Sequence, residues 1–195
     1  MKYLPLLFCL ATPSLQSMVI IRLAQTSDLP KLLKLDQTVT YDYFLPLVYN
    51  HYGHLLNYET LLERMEKELE DNKELFAQAI QKQNNYRLHV AIDNQTNRVN
   101  GYCFSQKKGT TLELILSMVY KEWEDTDLEI DLNKAAIAQF PDIRKCTAQP
   151  LQCNKKACQL YEKLGFINKG PGSPEILNVH GFGLDTWIFN YELVL

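Results

Sequence analysis

Apolar positions change their spacing along the chain, and each change marks an element. Val19 to Ala24 is a short apolar run that predicts a strand. Thr26, Ser27 and Asp28 then offer side chains to cap a helix carrying Leu29, Leu32, Leu33 and Leu35. From Glu59 to Gln83, the residues Leu62, Met65, Leu69, Phe76 and Ile80 recur at helical spacing opposite a charged face, which predicts a long surface helix. At Tyr86 the period drops to two, with Tyr86, Leu88, Val90 and Ile92 pointing one way and Arg87, His89 and Asp93 the other. Turn residues Asn94 to Asn97 lead into a second strand, Val99 to Ser105, and Lys107-Lys108-Gly109 turns the chain into a third, Thr111 to Tyr120. There Leu112, Leu114, Leu116 and Met118 alternate with Glu113, Ile115, Ser117 and Val119. Apolar residues on both faces predict a central strand.

The second half reads in the same way. Asp125-Thr126-Asp127 can cap a helix to about Gln139, and Pro141 cannot continue it. Arg144 to Gln149 predicts a strand. Asn154 then caps a helix with Ala157, Leu160, Tyr161 and Leu164 on one face, ended by Gly165. After a loop from Gly170 to Pro174, Thr186 to Leu195 alternates as a final strand with Trp187, Phe189, Tyr191 and Leu193 together. The expected order is β-α-α-β-β-β-α-β-α-β, with room for one more strand at the end. That is an α/β (α+β) domain with a mixed central sheet flanked by helices.

Composition narrows the function classes. The 195 residues are 46% hydrophobic and 22% charged, which suits one domain of ordinary size, and no repeat or Gly/Ser/Pro-rich linker divides them. A formal net charge of -3 lacks the basic excess of a nucleic-acid or anionic-membrane partner. Cys9, Cys103, Cys146, Cys153 and Cys158 are odd in number, with no Cys-x-x-Cys pair, so the expectation is buried thiols in a reducing, cytoplasmic compartment and no metal. His51 and His54 alone do not make a metal site. Lys2 followed by Tyr3 to Ala11 has the outline of a signal peptide, but Pro5 interrupts the apolar run and no small-x-small site follows. Because Met18 opens the first strand, residues 1–17 are expected to be an N-terminal extension or weak signal-like segment that packs little on a domain of residues 18–195.

One stretch is more specific than any pattern. Asn154-Lys155-Lys156-Ala157-Cys158-Gln159-Leu160-Tyr161-Glu162-Lys163-Leu164-Gly165-Phe166 closely resembles the Asn-x-x-Ala-x-x-x-Tyr-x-x-x-Gly-Phe signature of the GNAT acetyltransferase superfamily, with every anchor at its spacing. Glu113-Leu114, Val119 and Glu122-Trp123 resemble that family's central strand and the turn leaving it, and the resemblance implies that residues 113–119 and 145–149 are neighbouring parallel strands that splay apart at their C-terminal ends to admit pantetheine. The resemblance covers residues 18 to 195. It implies the GNAT fold, acetyl-CoA as co-substrate, and a small-molecule or peptide amine as acceptor, and it leaves a homodimer open. It also implies a pyrophosphate loop of the form Gln/Arg-x-x-Gly-x-Gly/Ala, in which glycines and a helix N-terminus present backbone N–H groups to phosphates. In that register this chain has Glu124-Asp125-Thr126-Asp127-Leu128-Glu129. Carboxylates stand where the anchors belong, and they favour the positive helix end themselves while repelling a diphosphate. An ordinary solvated helix start explains the same run.

By the resemblance, an amine attacks the thioester directly and Tyr161 is the general acid for the departing thiolate. Tyr161 equally fits a core stripe with Ala157, Leu160 and Leu164. Glu113 is the candidate base, in a strand whose apolar neighbours raise a carboxylate's pKa, with a salt-bridged surface glutamate as the alternative. Met118 and Val119 would lend backbone groups to the cofactor, and Asn154 would cap its helix, touch the pantetheine arm, or do both. The segment Tyr41-Asp42-Tyr43-Phe44 falls where the family builds its acceptor wall. Two functions remain open: an active N-acetyltransferase, and a non-catalytic module of the same fold that binds a protein or ligand.

Overall fold

The computed structural model describes residues 19–53, 57–172 and 188–195. The expectations for residues 1–17, His54, Thr186 and Trp187 lie outside them. Strand β1 (Val19–Leu23) leads to helix α1 (Leu29–Val39), then through a π-helical turn, Thr40–Phe44, to α2 (Leu45–Tyr52) and the long α3 (Tyr58–Ile80). A meander follows, with β2 (Tyr86–Asp93), β3 (Val99–Lys108) and β4 (Thr111–Val119). Helix α4 (Leu128–Ala138), β5 (Lys145–Ala148), α5 (Lys155–Lys163), β6 (Ile167–Pro171) and β7 (Phe189–Val194) complete the chain.

The strands form one sheet in the order β1-β2-β3-β4-β5-β7-β6. Every pairing is antiparallel except β4 with β5. On one face Leu32 and Leu35 of α1 and Phe76 and Ala79 of α3 pack on Leu88, Val90 and Phe104. On the other, Leu128, Leu132 and Ala136 of α4 and Cys158 and Tyr161 of α5 pack on Ala91, Cys103 and Leu114. Coverage on both sides explains why the second face of β2 is buried at its centre, where His89 and Ala91 are 4% and 0% exposed, while Arg87 and Asp93 towards its ends keep partial exposure.

Four further details differ from the sequence pattern. Helix α2 was not expected; it shields Leu45, Val48 and Tyr52 against Leu61 and Met65. The inward stripe of α3 runs through Leu61, Met65, Phe76 and Ala79, with Leu62 and Leu69 only half-buried. Ile167–Pro171 forms an edge strand where a loop was expected from Gly170, a place that tolerates proline. The fourth detail is a bulge in β4. Ser105 pairs with Leu114 but Phe104 with Leu116, so Ile115 is an extra residue. Leu112 and Leu114 therefore face α4, whereas Leu116 and Met118 face α1 and α3 instead of sharing one side with them.

Candidate active site

The bulge falls where the two parallel strands part. β4 and β5 are paired only from Thr111 beside Lys145 to Leu114 beside Ala148. Beyond Ile115, β4 continues along β3, while β5 ends and the chain leaves through Gln149, Pro150 and Leu151. Ile115–Val119 thus has no β5 partner, and the gap is the floor of a cleft of about 390 Å³. Backbone N–H and C=O groups on such an unpaired edge seek partners, which makes the edge a template for an extended ligand.

One side of the cleft is built from the starts of two helices. Asn154 accepts the Ala157 backbone N–H at 3.0 Å and caps α5, and the Tyr43 hydroxyl reaches the same oxygen at 3.4 Å. Lys156 ion-pairs with Glu124, and its ammonium lies 5.5 Å from the Tyr43 ring centre. Glu124, Asp125, Asp127 and Glu129 all line the cleft. At the start of α4 the Thr126 hydroxyl, rather than an aspartate, accepts the Leu128 N–H. Glu129 receives a hydrogen bond from the Ser117 hydroxyl, whose oxygen accepts from Asn133 at 2.9 Å. Burial pushes the Glu129 carboxyl up to about 7; the Ser117 bond and Lys156 oppose the rise and Glu124 adds to it.

The other side carries Val39, Tyr43, Phe44 and Glu68. Glu68 and Asn72 sit one and two turns beyond Met65 on α3, interrupting its buried stripe with polar groups. Beneath them Asp36 of α1 is fully buried and accepts from the Tyr102 hydroxyl at 2.5 Å and from Asn72 at 3.2 Å. The Tyr102 hydroxyl also lies 3.3 Å from the Met118 sulfur. Burial pushes Glu68 up to about 7, with the charges of Asp36 and Asp71 raising it further. A carboxyl held near neutrality exchanges protons readily at physiological pH.

Tyr161 stands between the two sides. It is 6% exposed and lines the cleft, with Phe166 and Tyr191 packed 5.4 and 5.9 Å from its ring centre. Burial pushes its phenol well above the ordinary value, so it is protonated at neutral pH.

No protein-family model matches the sequence, and comparison with curated proteins finds no match. Solved structures do match. The PaiA N-acetyltransferase of Thermoplasma acidophilum, in complex with coenzyme A, aligns at TM-score 0.65 and 14% identity over 91% of this chain and 99% of its own. The spermidine N-acetyltransferase of Vibrio cholerae, in complex with CoA and spermine, aligns at 0.56 and 17% identity over 91% and 96%. The ribosomal-protein-S5-alanine acetyltransferase of Vibrio fischeri aligns at 0.57 and 13% over 91% and 93%. The chain has the GNAT acetyltransferase fold. At these identities the likeness is one of architecture.

Of the residues singled out on sequence, the GNAT architecture brings Met118, Val119, Asn154 and Tyr161 together around one cleft. Glu113 is not among them. It lies on the paired part of β4, between Gln106 and Thr147, and its carboxylate is 2.6 Å from Lys108 Nζ. Apolar neighbours along a strand say nothing of a side chain that reaches out to an exposed lysine, and the expectation for Glu113 is corrected on that ground. Sequence reasoning missed Glu68. The available signal was a pair of polar residues, Glu68 and Asn72, set into an apolar helical stripe.

Proposed function

We propose that the protein is an N-acetyltransferase that moves an acetyl group from acetyl-CoA to an amine by direct attack. The observation that carries the reading is the parting of β4 from β5 with Tyr161 at the opening and Glu68 across from it. Neighbours of the same fold were solved with coenzyme A, one of them together with spermine, which supports an acyl-CoA donor and an amine acceptor here. The acceptor enters on the side of Tyr43, Phe44 and Glu68, where aromatic rings and a carboxylate suit an ammonium group. Glu68 takes its proton, the freed nitrogen bonds to the thioester carbonyl carbon, and the unpaired edge at Met118 and Val119 offers backbone groups to the oxygen. As the C–S bond breaks, Tyr161 gives its proton to the leaving sulfur, the nitrogen sheds the second proton that it still carries to become a neutral amide, and that proton restores the phenol directly or through solvent. The four described cysteines are free and buried, which suits a reducing compartment such as the cytoplasm. No described helix is long and apolar enough to cross a membrane.

The test is thiol release from acetyl-CoA with a panel of diamines, polyamines and peptide N-termini, beside calorimetry of acetyl-CoA binding. Tyr161→Phe should lower kcat about a hundredfold, the size of a lost general acid, with acetyl-CoA affinity little changed. A second reading is a non-catalytic module that binds a protein or ligand. It is favoured by the carboxylates of Glu124, Asp125, Asp127 and Glu129 along the side where a diphosphate would lie. Absence of acetyl-CoA binding, with the fold intact, would select it.

A further inference from the structure

We propose that Glu129 determines specificity for the donor: ionised, it disfavours a thioester whose arm ends in a diphosphate, and protonated, it admits one, so that acyl-CoA binding takes up a proton. This rests on the donor entering beside α4 and α5. The position is set by the fold. Glu129 is the second residue of α4, on the cleft side, where its carboxyl is held by the Ser117 hydroxyl of β4. Asn133, one turn further on, fixes that hydroxyl and donates at 2.8 Å to the Glu129 carbonyl. The carboxyl is therefore a built part of the cleft wall and not a solvated helix-start charge like Asp125 and Asp127, which are exposed.

The groups facing it decide which protonation state a ligand selects. Glu124 precedes it in the turn, Lys156 and Tyr161 face it from α5, Tyr43 from the π-helical turn, and Cys103 from β3. The nearby cation, Lys156, is ion-paired with Glu124 and offsets the Glu129 charge only in part, so an incoming diphosphate would still meet negative charge there. Two like charges at a few ångströms in a partly buried site repel strongly, and protonating the carboxyl removes the repulsion. Burial has already brought the group to about 7, within reach of neutral pH.

Calorimetry of the full chain with acetyl-CoA, at pH 6 and 8 and in buffers of low and high ionisation enthalpy, measures both affinity and proton uptake. If only the protonated form accepts the ligand, a group at about 7 gives an affinity about tenfold tighter at pH 6 than at pH 8, with close to half a proton taken up at pH 7. Glu129→Gln keeps a polar side chain facing Ser117. It should bind as tightly at pH 8 as at pH 6, apart from the titration of the ligand's own phosphate, which both proteins share. S-acetylpantetheine, which carries the arm without the diphosphate, should show little pH dependence with the unaltered protein, a result that does not depend on how the variant folds. Equal pH dependence of acetyl-CoA binding in the unaltered protein and Glu129→Gln, or the same slope for S-acetylpantetheine, would overturn the role of Glu129 alone. Absence of acetyl-CoA binding at pH 6 in both proteins would overturn the donor assignment with it.

Discussion

Replacing Glu68 with glutamine should stabilise the protein and disable it, each in a way the structure lets us size. Burial beside Asp36 and Asp71 raises the Glu68 carboxyl from 4.5 to about 7. A group whose folded pKa is raised favours the fold below its unfolded value, and that favour is lost as pH rises through the folded value. The window therefore runs from about 4.5 to about 7. A shift of this size corresponds to a ceiling of about 3 kcal/mol lost by pH 8, at about 1.4 kcal/mol per unit. Glutamine removes the ionisation but buries an amide, which costs about 1 kcal/mol if imperfectly bonded. The variant should thus be about 1–2 kcal/mol more stable than the parent at pH 8 and no more stable at pH 4.5. In a domain of this size each kcal/mol moves Tm by roughly 2–4 °C. Urea unfolding of both proteins at pH 4.5, 6 and 8 measures the difference directly. Thiol release should meanwhile fall by about a hundredfold or more. Stability curves for the two proteins that run parallel from pH 4.5 to pH 8 would refute the argument, because they would show that Glu68 titrates alike in the folded and unfolded chain.

Two further predictions concern the scaffold. A Cβ on Gly101 would meet Val119 Cγ1 at 2.7 Å, and Leu132 Cδ1 and the Met118 carbonyl oxygen at 3.0 Å each, so Gly101→Ala should cost roughly 1–3 kcal/mol in urea unfolding; unchanged stability would show that α4 yields freely. His89 is held down to about 4, chiefly by burial, with a Gln139 hydrogen bond opposing and Arg87 adding to the effect, so acid favours the unfolded chain as pH falls from 6.5 to about 4. His89→Leu should remove as much as about 3 kcal/mol of that acid destabilisation relative to the parent, and an equal loss in both proteins over the same range would show that His89 is already charged in the fold.

Much of this molecule was legible along the chain. The period of two over β2, the alternation over β4, the helical stripes of α1 and α5 and the cap at Asn154 are local properties, fixed by side-chain direction and by which groups reach a neighbouring backbone donor. The signature from Asn154 to Phe166 carried the fold, because its anchors are those that seat α5 beside the cleft. Where the elements meet was not legible. The bulge at Ile115 reverses which face each later residue of β4 takes, yet it leaves the pattern of residue types untouched. The parting of β4 and β5 depends on where β5 ends, which is a fact about two strands and not about either one; the family resemblance implied it, while neither strand's own pattern did. Glu113 and Glu68 show the same division. Both look like charged residues on a strand and a helix, but a lysine beside the first and an aspartate beneath the second give them opposite surroundings. The chain determined what most segments would be; only the packing of helices on both faces of the sheet decided which carboxyls stay outside the cleft and which are drawn into it, since desolvation and the charge of a neighbour distant in sequence act through space.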